Sequence, residues 1–296
     1  MLPSGPFQLI VPFEAGGGSD AAARVFARFA APHFDGGMDV VNRTGASGAT
    51  GFRFGADAPP DGRTLTMMVA SLISGPHAAE GYGVSYRDFA PVCLLATMPL
   101  VLCVRAGSAV RGFEQLLAEA RARPAQLTMG TAGAGSFVDL SARALAQAAR
   151  VSFALRGYQG SAAQLRALVA GELDVAQVSS DEALPLVQSG AVSAIAVLGR
   201  APAPALPGVP TTSEYDIALD LGFFRGVGAP RGLTPAVAGA LERACAATAA
   251  DPAYWQHLVR QGATPRYLAG KEFGAWLAAL DQSFASVLAA ERLQDT

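Results

Sequence analysis

The sequence predicts an α/β fold of two domains, in which helices cover both faces of mostly parallel β-sheets. The chain has 296 residues, a length typical of two domains or one large one. Hydrophobic residues make up 51% of it and charged residues only 16%, so a large core can form. Short apolar runs alternate with glycine-rich loops and helical segments, which is the sequence pattern of strand, loop and helix in this fold class.

The first such unit lies at the amino-terminal end. The apolar run at 7–12 ends at a proline and predicts a buried parallel strand. A glycine-rich loop follows at 16–20, and the segment AAARVFARFAA then predicts an amphipathic helix. Ser19 or Asp20 is the expected N-cap of this helix.

The same order recurs along the chain. Further strands are predicted at 38–41, 65–70, 127–129, 153–155, 175–178 and 194–198, and glycine- or serine-rich loops follow most of them. Ligands of open α/β sheets bind at the carboxyl ends of the strands, where these loops lie. After residue 234 the sequence predicts three helices.

Two extended segments predict crossings between the domains. The longest uncharged apolar stretch, 89–104, contains two prolines and is too short to span a bilayer, so we expect two strands joined by a turn and no membrane insertion. Its end at 100–104 and the segment 223–229 are the predicted crossings. This two-strand hinge divides the chain into one lobe of 1–104 plus 223–296 and another of 105–222.

Composition excludes several functions. Twenty-two basic and 24 acidic residues give a net charge of −2, whereas a nucleic-acid binder needs a basic face. The three histidines lack the spacing of metal ligands, and the 16–20 loop matches neither a Walker nor a Rossmann motif, so we expect no metal or cofactor. Cys93 and Cys103 are expected as buried free thiols, and a disulfide between them is the alternative.

The loops at the predicted strand ends supply the candidate site. Their backbone N–H groups and hydroxyls form a polar cleft of mainly neutral donors, which suits a carboxylate ligand. The simpler interpretation is that each loop only packs tightly or caps a helix. Arg225, within an apolar segment, needs a partner, and either a ligand carboxylate or an acidic neighbour would serve. The candidates are Gly16, Gly17, Gly18, Ser19, Asp20, Ser71, Thr131, Gly135, Ser136, Gly160, Ser161, Ser180, Asp181 and Arg225.

An enzyme is the rival hypothesis. The GxSxG motif of the hydrolase nucleophile elbow is absent from the sequence. Asp139 or Asp181 could act as a base on a small organic acid, but both positions equally suit a carboxylate that complements a helix N-terminus. We therefore expect no catalytic residues.

Several ordered motifs resemble one family. LIVPFEAGGGSDAAAR (9–24), VVNRTGASGATGF (40–52) and APPDGRTL (58–65) are similar to signatures of the tripartite tricarboxylate transporter substrate-binding proteins, also called Bug proteins. The resemblance continues in order through RDFAPVCLLATMPLVLCVR (87–105), GYQGSAAQL (157–165), GELDVAQV (171–178), ALPGVPTTSEY (205–215) and GVGAPRGLTP (226–235). It covers nearly the whole chain.

This resemblance implies a two-lobed, type II periplasmic-binding-protein-like fold that closes over a small carboxylate. It implies a monomeric periplasmic protein, its signal peptide removed, that delivers the ligand to membrane transporter subunits. The 16–20 loop would cradle a carboxylate, and Arg225 follows an aromatic residue as in the tricarboxylate-like branch. The second-lobe motifs would contribute Thr131, Gly135, Ser136, Gly160 and Ser161, with Ser180 and Asp181 at the next strand end.

The sequence also departs from the family pattern. Asp139 stands where many members carry histidine, and Gly157 and Gln159 stand where proline and lysine are common. Each change makes the predicted cleft less basic. A mono- or dicarboxylate, or an amino-acid-like ligand, is therefore favoured over a tricarboxylate. A ligand-sensing module that signals to a partner protein is the alternative to a transport function.

Overall fold

The computed structural model describes residues 2–294, which contain ten β-strands and ten α-helices. The strands are β1 (Phe7–Val11), β2 (Met38–Asn42), β3 (Thr64–Met68), β4 (Phe89–Arg105), β5 (Thr128–Thr131), β6 (Ala154–Gly157), β7 (Val175–Ser179), β8 (Val192–Val197), β9 (Gly222–Pro230) and β10 (Thr264–Ala269). The helices are α1 (Gly18–Ala30), α2 (Ala49–Ala56), α3 (Ser71–Ala78), α4 (Phe113–Ala122), α5 (Phe137–Ala149), α6 (Ser161–Ala170), α7 (Ser180–Gln188), α8 (Pro235–Ala249), α9 (Pro252–Arg260) and α10 (Gly270–Gln294).

The chain forms two compact units. The first comprises Met1–Thr97, Phe224–Leu258 and Pro265–Ala279, and the second comprises Met98–Phe223, Val259–Thr264 and Leu280–Thr296. These bounds differ from the predicted lobes chiefly at the carboxyl-terminal end, where two further segments join the second unit. A helix as long as α10, which extends about 37 Å at 1.5 Å per residue, can reach beyond one small core.

In the first unit, β1 lies between β2 and β3 and is parallel to both. β9 is antiparallel to β3, and β10 pairs with β4. All residues of β1 except Gln8 are buried, and the ring of Phe7 packs edge-on against Phe34 with centroids 5.0 Å apart. Consequently, the chain segments that follow β1, β2 and β3 leave this sheet at one edge.

In the second unit, β5 is parallel to both β6 and β7, while β4 is antiparallel to β7 and β8. A buried apolar cluster that includes Val101, Leu168 and Val178 lies beneath α6 and α7. The strand–loop–helix order of each unit agrees with the sequence prediction, and the α/β fold class is confirmed.

The apolar stretch at 89–104 is a single strand, so the prediction of two strands joined by a turn was wrong. Pro91 and Pro99 lie inside β4. A proline in a strand removes one ladder N–H but keeps an extended backbone, so the strand can continue past it. The backbone N–H of Leu100, directly after the second proline, donates to the carbonyl of Leu221 at 3.0 Å.

The sequence predicted only helices in the carboxyl-terminal region, and this prediction was wrong. β10 separates α9 from α10. Its residues are all half-buried and include Pro265, so neither alternation of polarity nor a buried apolar run marks it as a strand.

The segment Gly270–Ala290 is, by length and composition alone, apolar enough to cross a membrane. However, Phe273, Leu277, Leu280 and Phe284 of this helix are at most 4% exposed, as expected for a core helix.

The expected N-cap of α1 was also wrong. The cap residue is Gly17, and no side chain caps this end of the helix. Asp20 instead occupies the first turn, where its side chain takes a different role.

Candidate functional site

In the first unit, the candidate residues lie around the loop between β1 and α1. Gly17 caps α1, so Gly18, Ser19 and Asp20 form its first turn. The first backbone N–H groups of a helix have no acceptor inside that helix. Together with the helix dipole, they make this end of α1 favourable for an anion.

The Asp20 carboxylate holds this loop in shape. Its Oδ2 accepts the backbone N–H of Gly16 at 2.9 Å and the Nε–H of Arg24 at 2.9 Å. Its Oδ1 accepts from Nδ2 of Asn42, at the end of β2, at 3.0 Å. Asn42 Nδ2 also donates to the carbonyl of Phe13 at 2.9 Å, which connects β2 to the same loop.

Asp20 is only 3% exposed, so its charge depends on these partners. The hydrogen bond from Arg24 is the largest influence and, with those from Gly16 and Asn42, outweighs the effect of burial. The pKa of Asp20 falls from 3.8 to about 2. Asp20 is therefore ionised, and its partners compensate its negative charge. The N-terminus of α1 consequently still favours an anion. The geometry thus gives Asp20 an internal role, and its predicted contact with ligand stays a prediction.

Arg225 of β9 lies beside the same helix end. A Cβ atom added to Gly18 would lie 3.4 Å from Nη2 of Arg225, so the guanidinium lies against the first residue of α1. Nη1 of Arg225 donates to the carbonyl of Phe224 at 3.0 Å. The structure therefore brings together a cation and a helix N-terminus that are about 200 residues apart in the chain.

Ser71 begins α3, after the carboxyl end of β3. The loop that follows β2 reaches this helix region, because the hydroxyl of Tyr82 donates to the carbonyl of Ser47 at 3.0 Å. Sequence reasoning did not include this loop among the candidates. The sequence feature that marks this loop is the glycine pair Gly45 and Gly48. Between them, Ala46 and Ser47 have left-handed backbone conformations, with φ of 47° and 53°.

In the second unit, the loops after β5 and β6 lie together. The backbone N–H of Tyr158 donates to the carbonyl of Thr131 at 2.9 Å. A Cβ added to Gly157 would lie 3.1 Å from the Cα of Gly133, so the two loops approach each other closely at this point. Gly160 caps α6, and Ser161 is the first residue of that helix.

Asp139 organises the β5–α5 loop. Its Oδ2 accepts the backbone N–H of Gly135 at 3.1 Å and the Nε–H of Arg143 at 2.9 Å. The residue is 3% exposed. A carboxylate that accepts these two hydrogen bonds inside the loop is suited to fixing its shape.

Ser136 is the N-cap of α5. Its Oγ accepts the backbone N–H of Asp139 at 3.1 Å, which leaves the hydroxyl hydrogen available to a further acceptor. Thr131 is 1% exposed, and its Oγ1 accepts the N–H of Gly133 at 3.4 Å. Both hydroxyls thus shape the loop, as the simpler interpretation of the sequence held.

Ser180 and Asp181 begin α7 directly after β7. Ser180 is fully buried, and its Oγ donates to the carbonyl of Gly262 at 3.0 Å. A Cβ added to Gly262 would lie 2.5 Å from the Cα of Asp181. Both residues therefore pack against the turn after α9, and their predicted ligand contacts stay predictions.

One arrangement occurs in both units and was missed by the sequence analysis. Gly16, Asp20 and Arg24 at the start of α1 correspond in spacing and hydrogen bonding to Gly135, Asp139 and Arg143 at the start of α5. The signal was present as Gly-x3-Asp-x3-Arg after a predicted strand, twice. Each copy fixes a glycine with positive φ just before a helix N-terminus, at 84° for Gly16 and 74° for Gly135.

Across residues 2–294, no group of three or more His, Cys, Asp or Glu side chains could hold a metal ion. A cavity of about 450 Å³ lies in the second unit, away from the candidate loops. Its lining includes none of the predicted site residues and comprises Arg143, Ala146, Gln147, Arg150, Val151, Ser152, Phe153, Leu155, Val287 and Ala290.

Comparison with known proteins gives a consistent result. The family model described as "Tripartite tricarboxylate transporter family receptor" matches residues 23–280. A protein of Pseudomonas sp. (strain P51), described as "UPF0065 protein in tcbD-tcbE intergenic region", is 32% identical over 259 residues, 83% of this chain and 75% of that protein.

Two solved structures are also similar. A TctC solute binding protein from Polaromonas, without ligand, is 28% identical with a TM-score of 0.90, over 98% of this chain and 100% of that one. Rpa4515 of R. palustris, solved with adipate, is 27% identical with a TM-score of 0.76, over 96% of each chain.

Proposed function

Because the chain belongs to the tripartite tricarboxylate transporter receptor family of periplasmic solute-binding proteins, we propose that it captures a small carboxylate for the membrane subunits of such a transporter. The observation that carries the proposal is the end of α1. There, the glycine-rich loop, a helix N-terminus and the Arg225 guanidinium lie together, while the Asp20 carboxylate of the first helical turn already has its own partners.

The ligand class follows from these donors. Backbone N–H groups and one guanidinium suit one carboxylate group at this end of α1. The Ser136 hydroxyl and the N-terminus of α5 suit another. A mono- or dicarboxylate of four to six carbons, or an amino acid, is therefore our proposal, and the adipate bound by Rpa4515 belongs to this class.

A ligand panel tests the proposal. We expect at least one C4–C6 carboxylate, amino acid or aromatic acid, at about 100 times its Kd, to stabilise the fold by roughly 2.7 kcal/mol. A thermal-shift assay measures this, with citrate included as the tricarboxylate. Absence of a shift with every compound would contradict the proposal.

Variants locate the binding site. Arg225→Gln should weaken binding of the best ligand at least tenfold, because it removes the cation beside Gly18. Arg28→Gln is the matched control: Arg28 is an exposed arginine on α1. Its replacement should leave the affinity unchanged.

We propose that the protein is a receptor and not an enzyme. Asp139, the candidate base, accepts hydrogen bonds from Gly135 and Arg143 within its own loop, which supports a structural role. Prolonged incubation with the best ligand, followed by mass spectrometry, should return the ligand unchanged. A time-dependent product would overturn this assignment.

A further inference from the structure

Two buried cysteines that are far apart in the sequence are in contact. The Cys93 thiol on β4 and the Cys245 thiol on α8 are hydrogen-bonded to each other, and both residues are 0% exposed. From the sequence, the alternative to free thiols is a disulfide between Cys93 and Cys103, which are ten residues apart. The fold instead brings Cys93 to Cys245, and all three thiols are free in this structure.

The backbone around this pair supports the contact independently. Pro91 lies two residues before Cys93 on the same face of β4, and Glu242 lies one helical turn before Cys245 on α8. Gly270 joins the two elements. Its N–H donates to Oε1 of Glu242 at 3.1 Å, and a Cβ added to it would lie 2.4 Å from the Pro91 carbonyl oxygen. α8 and β4 therefore pack closely at this point.

We propose that Cys93 and Cys245 are the partners of a disulfide bond that forms when the protein folds outside the cytoplasm. The compartment follows from the family, and disulfides persist in such oxidising surroundings. The bond would join α8 covalently to β4 within the first unit. The disulfide would be a covalent modification that the proposed function does not include, and its formation does not depend on ligand binding.

The reaction is thiol–disulfide exchange. The two cysteines lose two protons and two electrons as the Sγ–Sγ bond forms, and a disulfide of a thiol oxidase, or oxidised glutathione, is reduced to two thiols. Burial raises the pKa of the Cys93 thiol, which disfavours the reactive thiolate in the folded protein. Thiol–disulfide exchange is therefore expected to occur during folding, before both thiols are buried.

Cys103 serves as an internal control. It is equally buried, but it lies on the part of β4 that belongs to the second unit, and desolvation alone raises its pKa to about 12. No thiol contact accompanies it among the described residues. We therefore expect Cys103 to remain a free thiol under conditions that oxidise the other two.

The test is refolding in a glutathione redox buffer. The reduced, denatured protein is diluted into reduced and oxidised glutathione, then denatured again and alkylated with N-ethylmaleimide. We expect one alkylated cysteine per chain and, in a non-reducing peptide map, a link between the peptides of Cys93 and Cys245. Three alkylated cysteines, or a link that involves Cys103, would overturn the proposal.

Two variants sharpen the result. Cys103→Ser should give no alkylated cysteine, and Cys245→Ser should give two. A Cys93–Cys103 link in the Cys245→Ser protein would mean that pairing does not follow the observed contact, and would also overturn the proposal. Because the wild-type peptide map needs no variant, a folding defect in either variant leaves the test intact. Ligand affinity does not enter this readout, so failure here is distinct from failure of the proposed function.

Discussion

At the scale of single residues, two aspartates have the same task in different units. Asp20 and Asp139 are each 3% exposed, and each accepts a glycine N–H and an arginine Nε–H. A buried carboxylate at the first turn of a helix is stabilised by these partners and by the helix dipole. Their charges are thereby committed to the protein's own loops.

Asp20→Asn should destabilise the fold by about 1–3 kcal/mol at pH 7, because it weakens the hydrogen bonds with Gly16 and Arg24. The folded-state pKa of Asp20, about 2, lies below its ordinary 3.8. The stabilisation is therefore complete above about pH 4 and is lost as the pH falls toward 2. Urea unfolding across this range should show the two proteins converge in stability on acidification.

The matched control is Asp39→Asn, which changes an exposed aspartate on β2. Its effect should stay within about 0.5 kcal/mol. A constant difference between wild type and Asp20→Asn from pH 5 to pH 2 would contradict the assigned role of Asp20.

Ser136 is the N-cap of α5 and also a predicted ligand contact. Substitution by glycine distinguishes these two roles. Ser136→Gly should cost only a few tenths of a kcal/mol of stability, because glycine is a tolerated N-cap, whereas Ser136→Ala should cost about 1 kcal/mol. Both variants lack the hydroxyl. If the hydroxyl binds ligand, both should weaken binding by on the order of 1 kcal/mol.

Calorimetric titration and thermal unfolding measure these two effects. Wild-type affinity in a folded Ser136→Gly protein would remove the Ser136 hydroxyl from the binding site and leave it as a helix cap.

At the scale of elements, helix positions depend on close backbone approaches. α2 packs where Gly51 faces the ends of β1 and β2: a Cβ added there would lie 2.3 Å from the Arg43 carbonyl oxygen and 2.6 Å from the Cα of Pro12. Backbone atoms cannot give way as a flexible side chain can. α2 can therefore take this position only with glycine at 51.

Gly51→Ala should accordingly destabilise the protein by about 2–3 kcal/mol, despite the better helix propensity of alanine. Gly239→Ala on α8 is the control, since the nearest atom to its added Cβ is Nη1 of Arg243, at 3.4 Å. That variant should be neutral or up to about 1 kcal/mol more stable. Equal denaturation midpoints for the two variants would contradict the packing argument.

At the scale of the whole molecule, the chain changes unit five times, whereas the sequence predicted two crossings. Two changes fall within β4 and β9, close to the predicted hinge segments 100–104 and 223–229. The others lie within α9, β10 and α10.

We retain hinge closure on ligand binding as a prediction. Closure around a ligand makes a protein more compact, so the best ligand of the panel should reduce the radius of gyration in small-angle X-ray scattering. A compound without a thermal shift is the control and should leave the radius unchanged. An unchanged radius at saturating ligand would contradict the hinge.

The sequence by itself determined the α/β class, most strands and helices, and the loops at the strand ends, because periodicity of apolar residues and glycine position are local signals. It failed at β10 and in β4, where prolines and half-burial mask the strand pattern.

Only the tertiary structure decided which distant groups meet. It placed Arg225 beside Gly18, Ser180 against Gly262, and Cys93 against Cys245. Such contacts arise from strand order and helix packing across long stretches of chain, and no local pattern encodes them. The candidate loops were therefore readable from the sequence, whereas the internal roles of Asp20 and Asp139 became apparent only in the folded protein.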